Sequence, residues 1–363
     1  MKKILVDAHC FSGSGQGMVS YLQGIYSELL KDKNFEITFV CSDTEKIKAA
    51  FGENADVIKI PDDSFLYRLF FFFPKILKTG RFDYAHFQYL IPFFLSKNVK
   101  YISTIHDIIP IDFPKYYSFL YRLKVDWLFR RAAKKSDVLL TVSEYSKERI
   151  SKRFCVPEKK IHITENAVKD IFEISKDKEN GLYEKYGKYF LYVSRIEERK
   201  NHITLLKAFV DGEFYKNYSL LLVGSKSSKS AALYKYYESL PLEIKNKIVF
   251  LANLSDDELN AVYNNAELFI YPSIAEGFGI PPLEAAVCLK KVCCSNSSAM
   301  KDFDFFKKYS FESLDENGLI NQIKKILLDE NYPAQEIKDE ILKRYSWKKS
   351  AETLKRLLTG DER

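Results

Sequence analysis

Short, nearly unbroken apolar runs alternate with longer amphipathic stretches along most of the chain. The pattern predicts strands at 3–8, 35–41, 57–60, 83–88, 99–105, 137–142 and 159–164, and helices at 17–31, 65–79, 115–135 and 143–154. Near-continuously apolar strands, set between helical segments, indicate a parallel sheet covered on both faces. A polar stretch from Ser175 to Gly181 breaks the pattern and reads as a linker. The second half then begins again with the strand Tyr189-Phe190-Leu191-Tyr192-Val193, and further strands are expected at 218–223, 247–251, 266–271 and 291–295. The tail 332–358 has a helical pattern whose apolar positions, Trp347, Ala351, Leu354, Leu357 and Leu358, would pack it back onto the body. The expected class is α/β, with two Rossmann-like, doubly wound parallel-sheet domains facing a central cleft. They span 1–170 and 171–335, and the helical tail spans 336–363. In such sheets ligands bind at the carboxyl ends of the strands.

A length of 363 residues fits two domains of ordinary size. The six cysteines have no zinc spacing, and Cys293-Cys294 in an apolar strand read as reduced core thiols. The opening apolar run is too short for a signal peptide, and no stretch reaches the ~18 apolar residues of a membrane span. A cytoplasmic location is therefore expected, with a peripheral place on the inner face of the membrane. The peripheral part comes from the charge distribution. Residues 65–81 hold four cations, no acid and the run Phe70-Phe71-Phe72-Phe73, and residues 115–135 hold seven cations against Asp126 with aromatics interleaved. Such segments suit an anionic membrane surface. They equally describe helices with one buried aromatic face and one solvated basic face. No nucleic-acid partner is expected.

The most informative stretch is Glu276-Gly277-Phe278-Gly279-Ile280-Pro281-Pro282-Leu283-Glu284. An apolar strand runs into it, and Pro281 and Pro282 suit the first turn of a helix. Glu276 is thus expected on a loop at a strand's carboxyl end, and Glu284 in the first turn of the next helix. Gly277 and Gly279 leave backbone N–H groups open to an anion at the helix N-terminus. A phosphate there would lie between two carboxylates able to hold hydroxyls on either side, which is the layout of a diphosphate-linked sugar nucleotide. Arg195 and Lys200, at the end of the strand that opens the second half, can clamp a diphosphate and stabilise it as a leaving group.

The E-x7-E spacing with G-F-G inside, preceded by R-x4-K, resembles the donor site of retaining glycosyltransferases of family 4, which have the GT-B fold. The resemblance implies that Glu276 contacts the transferred sugar, Glu284 the ribose, and Arg195 and Lys200 the diphosphate, with Arg199 a lesser partner. It places Gly13, Gly15 and Gly17 in a glycine loop near the donor phosphates and the acceptor, and His106, of His106-Asp107, near the donor sugar. Gly224, Ser225 and Asn253 are expected at the base, with Gly277, Phe278 and Gly279 on the donor side. Ala167 and Ala252 stand where the family has glycines. His86 is a candidate for the acceptor side, and Ser143 for a helix cap. Asp302-Phe303-Asp304 forms a D-x-D, read as a chance match. No cofactor and no metal are expected, since Arg195 and Lys200 supply the positive charge. The implied reaction moves a hexose, of mannose or rhamnose type, from a nucleotide-diphosphate sugar to a hydroxyl of a glycan or lipid-linked acceptor, with retention, as in bacterial surface-polysaccharide assembly. Rival readings are a sugar-nucleotide epimerase, a sugar-phosphate synthase, or an inactive transferase serving as an assembly subunit.

Overall fold

The computed structural model describes residues 1–13, 16–174, 182–225 and 230–360, without the side chains of Gln16 and Tyr183. Gly15 and the linker 175–181 therefore lie outside the described residues. The chain divides into two compact units, one of Met1–Ala167 with Ser346–Arg363, the other of Val168–Tyr345.

The first unit is built on seven strands: β1 (Lys2–Asp7), β2 (Phe35–Cys41), β3 (Asp56–Lys59), β4 (Tyr84–Gln88), β5 (Lys100–Thr104), β6 (Val138–Thr141) and β7 (Ile161–Ile163). They form one sheet in the order β3-β2-β1-β4-β5-β6-β7, every pair parallel. Burial on both faces explains the apolar runs: Ile4, Leu5 and Val6 have no exposure at all. The tail breaks into two helices, Ala334–Arg344 and Trp347–Thr359. Ser346 caps the second, its side chain accepting from the Lys349 N–H. That helix belongs to the first unit, where the Trp347 ring fills the space a side chain at Gly24 would need. A Cβ there would stand 2.0 Å from Trp347 Cδ2. The Tyr84 hydroxyl donates to the Leu358 carbonyl (2.8 Å), which ties the same helix to β4.

The second unit has six strands: β8 (Tyr189–Val193), β9 (Ser219–Val223), β10 (Ile248–Leu251), β11 (Leu268–Tyr271), β12 (Lys291–Ser295) and β13 (Ser310–Phe311). Their order is β10-β9-β8-β11-β12-β13, again parallel throughout. The order reverses between β8 and β11, so the loops after these two strands open at the sheet's switch point, where ligands of such sheets bind. The helix Ile280–Val287 follows β11 with Pro281 and Pro282 in its first turn.

Candidate functional site

The loops after β8 and β11 carry the residues singled out in the second half. Glu276 is buried, 7% exposed. Its Oε1 accepts from Lys200 Nζ (2.5 Å), the Ser273 hydroxyl (2.5 Å) and the Tyr271 hydroxyl (2.9 Å). Its Oε2 stands 3.6 Å from Arg199 Nη1. Burial alone would push this carboxyl up, but Lys200, Arg199 and the hydroxyl donors outweigh it and hold the pKa at about 2. Glu276 is therefore ionised at any working pH. Lys200 is shifted the other way, downward, because its burial outweighs the attraction of Glu276.

The loop backbones are fastened to one another. Arg199 Nη1 donates to the Ala275 carbonyl (2.6 Å), and the Ile274 N–H donates to the Arg199 carbonyl (2.9 Å). Asn201, in the left-handed region at φ 58°, donates to the carbonyls of Pro272 (3.2 Å) and Ser313 (2.5 Å). The Ser298 hydroxyl accepts from the Glu276 N–H (2.8 Å). Arg199 thus has a larger part than expected. Arg195 is half-exposed and pairs with Glu197 (3.1 Å), whose other oxygen takes Arg199 Nε (3.2 Å). One carboxylate therefore sets the spacing of two guanidiniums beside Lys200.

Glu284 sits in the helix Ile280–Val287, where its Oε2 accepts from the Tyr263 hydroxyl (2.7 Å). Burial raises its carboxyl to about 7, only partly countered by Tyr263. The two carboxyls are thus shifted in opposite directions, Glu276 down and Glu284 up, on either side of the helix start. Gly279 caps that helix at φ 104°, and a Cβ on it would stand 2.1 Å from Met300 Cε. Phe278, expected among the donor contacts, is turned inward. It is buried edge-on against Phe303 (5.6 Å) and Tyr345 (5.4 Å), so its side chain anchors the loop. Gly224 ends β9 at φ 153°, where a Cβ would lie 1.9 Å from the Ser194 carbonyl oxygen. Only glycine lets the β8 and β9 loops approach so closely. The Gly224 N–H donates to the Leu251 carbonyl (2.8 Å), and Ser225 offers its carbonyl to the Ile196 N–H (3.0 Å). Asn253 is exposed on the loop after β10 at φ 57°. Asp304 of the D-x-D is held by Arg344 (2.6 Å), a structural use.

In the first unit, His106 follows β5 and is buried. Its Nε2 lies 2.7 Å from Gln88 Oε1, so it carries the proton it donates there. Burial lowers its pKa to about 3, which keeps the imidazole neutral. The Tyr21 ring stands edge-on to it at 4.8 Å. Asp107 accepts from the Tyr89 hydroxyl (3.1 Å) and the Ile109 N–H (3.0 Å), which fixes the strand tip. His86, a candidate for the acceptor side, is instead wholly buried within β4, between the Tyr26 hydroxyl (2.7 Å) and Thr104 Oγ1 (2.8 Å). Ser143 caps the helix Glu144–Phe154, as expected. At Gly17 a Cβ would meet nothing within 4 Å, and at Gly13 it would meet only the Cys10 carbonyl at 3.9 Å. The described surroundings therefore do not themselves demand glycine at either position. Sequence reasoning missed an ion pair, Asp7 to Arg68 Nη1 at 2.9 Å, buried at the end of β1. It also missed Tyr271, Ser273 and Ser298 as groups that orient Glu276, and Asn201 as a tie to the Pro272 and Ser313 carbonyls.

Two doubly wound parallel sheets, with paired cations and a buried carboxylate at the switch point of the second, define a GT-B transferase architecture. A model of group 1 glycosyl transferases matches residues 173–349, and one of glycosyltransferase family 4 matches residues 15–170. The chain belongs to this glycosyltransferase family. It is similar to the O-antigen chain mannosyltransferase RfbU of Salmonella typhimurium, 34% identical over 185 residues, covering 50% of this chain and 48% of that protein. It is also similar to the O-antigen chain mannosyltransferase B of Escherichia coli, 30% identical over 229 residues, covering 61% and 60%. The matches thus span about half the length of these curated relatives. Among solved structures, Anabaena HepE in complex with UDP and glucose aligns over 99% of this chain and 100% of its own, at a TM-score of 0.77 and 15% identity. That likeness concerns the fold.

Proposed function

We propose that the chain transfers a hexosyl group, of mannose or rhamnose type, from a nucleotide-diphosphate sugar to a hydroxyl of a glycan or lipid-linked acceptor, with retention of configuration. The observation that carries this reading is the buried cluster of Glu276, Lys200 and Arg199 beside Arg195 at the β8/β11 switch point. Glu276 is ionised, and its Oε1 is saturated by three donors while its Oε2 keeps lone pairs for a sugar hydroxyl. Arg195 and Lys200 hold the diphosphate and stabilise the charge that develops on it as its bond to the sugar C1 breaks. The acceptor oxygen takes the vacated bond on the same face, and its proton leaves with the departing diphosphate. Glu284 accepts from the ribose. The hexose type is supported by the two mannosyltransferase relatives. With cations serving the leaving group, transfer needs no metal, and the tie of Asp304 to Arg344 supports reading the D-x-D as structural.

The test is a thermal-shift panel of nucleoside diphosphates and nucleotide sugars, followed by transfer to synthetic lipid-linked acceptors in chelator, with the product's anomeric configuration read by NMR. A ligand at 100 times its dissociation constant adds ~2.7 kcal/mol of stability. No shift with any nucleotide would overturn the donor assignment, an inverted product would overturn retention, and loss of activity in chelator restored by Mg²⁺ would overturn metal independence.

A further inference from the structure

The four consecutive phenylalanines do not share one environment. Phe73 is in the core, Phe70 and Phe72 are half-buried, and Phe71 points out. The chain from Tyr67 to Phe72 is wound as a π-helix, which sets Leu66 and Phe71 one wide turn apart. Phe70 stacks on Phe93 (3.9 Å) and stands edge-on to Phe94 (6.2 Å). Phe93 in turn stacks on Trp127 of the helix Phe119–Lys135 (5.9 Å), and Phe65 lies under the Lys124 ammonium (4.8 Å). Three segments distant in sequence are thus joined through Phe65, Phe70 and Phe93 into one platform. Leu66, Phe71, Phe94, Leu120, Leu123 and Trp127 belong to these segments and are 53–77% exposed. Single exposed apolar residues are ordinary, but an assembled set with a basic margin marks an interaction surface.

Cations are exposed on two of these segments, and Asp62, the exposed acid that precedes Phe65, is engaged by the Ser64 N–H (2.7 Å) and hydroxyl (2.8 Å). Lys97 and Lys124 are exposed at this platform. The only acid of the helix Phe119–Lys135, Asp126, is taken by Arg130 (3.3 Å) and Arg153 (2.6 Å), so it does not neutralise Lys124. No described helix is long and apolar enough to cross a membrane. We infer that this face of the first unit docks on the surface of an anionic lipid bilayer, with Leu66, Phe71, Phe94, Leu120, Leu123 and Trp127 entering the headgroup region and Lys97 and Lys124 pairing with lipid phosphates. Exposed apolar groups supply burial and the lysines supply attraction, the combination that holds an interfacial helix in place. The inference stands independently of the reaction proposed above, since it concerns the first unit's surface and not the donor loops.

The experiment is flotation of the full chain with phosphatidylglycerol or phosphatidylcholine vesicles, at low and high salt. Binding to the anionic vesicles at low salt and release at high salt are expected, because surface charge is screened within ~8 Å at physiological ionic strength. Trp127 emission should shift to the blue on binding, whereas Trp347 lies packed against Gly24. The variant Trp127→Phe should still bind and lose the shift. The double variant Leu66→Ser/Leu120→Ser changes exposed positions and should keep its melting temperature while binding about tenfold more weakly. Failure of the wild type to float with anionic vesicles at low salt overturns the inference, as does a blue shift that persists in Trp127→Phe or flotation unchanged in the double variant. Concentration-dependent dimerisation abolished by the double variant, without vesicle binding, would assign the face to a second copy of the chain.

Discussion

Replacing Lys200 by methionine removes the cation from Glu276 and leaves a carboxylate in a site that is 7% exposed. The carboxyl is held at about 2 against an ordinary 4.5. At 1.36 kcal/mol per pKa unit, that depression corresponds to roughly 3 kcal/mol of stability. The sign follows from the direction of the shift. A depressed carboxyl contributes fully above its unfolded value of about 4.5 and loses the contribution as pH falls towards 2. Arg199 and Ser273 share in that depression, so the cost of Lys200→Met is set by the carboxylate it strands: about 3–5 kcal/mol at pH 7, the range for breaking one side of a buried pair. The deficit should shrink at pH 3, where acid already erodes the wild-type contribution. A packing defect would cost the same at both pH values. Urea unfolding followed by far-UV circular dichroism, which reports both units, measures the two deficits. The double variant Lys200→Met/Glu276→Gln, which removes the stranded charge, should recover part of the loss at pH 7. A deficit independent of pH, or none, would refute the electrostatic account of this pair.

Arg195→Ala should leave stability unchanged, since Arg195 is half-exposed, but weaken nucleoside diphosphate binding at least tenfold by calorimetry, as expected for a charge-assisted bond worth about 1.5–3 kcal/mol. Glu284 has a raised carboxyl, at about 7, so stability falls as pH rises from about 4.5 to 7 and is flat above. Glu284→Gln should then be the more stable protein at pH 8, by up to roughly 3 kcal/mol, with little difference at pH 4; a less stable variant at pH 8 would contradict the assignment. Gly224→Ala should lower stability by roughly 3 kcal/mol or more, because its Cβ would meet the Ser194 carbonyl oxygen at 1.9 Å, and a melting temperature equal to wild type would show that the loops yield freely.

Twelve of the strands could be read from the apolar runs because burial on both faces leaves most of them largely apolar, as in Ile4-Leu5-Val6 of β1 and Leu220-Leu221-Leu222 of β9. β13 escaped because Ser310-Phe311 is too short to form a run. The helix at 65–79 was legible, but its π turn was not, since a widened turn leaves the apolar content unchanged. The break at Tyr345-Ser346 did carry a local signal, a serine able to cap, inside a stretch read as one helical tail. At the site, Glu276, Lys200 and Glu284 stood out through glycines, prolines and spacing. The orientation of Glu276 did not, because Lys200 and Arg199 reach it across 76 and 77 positions of chain, and Ser298 across 22. His86 misled because a histidine within a strand reads the same whether it lines a site or satisfies a buried tyrosine and threonine.

The return of the helix Trp347–Thr359 to the first unit has a consequence for biogenesis. The second unit is one continuous segment, Val168–Tyr345, and all of it emerges from the ribosome before the helix that Gly24 awaits. The unit begun first is therefore finished last, and until Trp347 arrives, the surface around Gly24 stays open to water or to a chaperone. A nascent chain halted after Tyr345 would hold a complete second unit and an unfinished first one. Proteolysis of stalled chains can detect this order, since cleavage near Gly24 should persist until the helix Trp347–Thr359 is free of the exit tunnel.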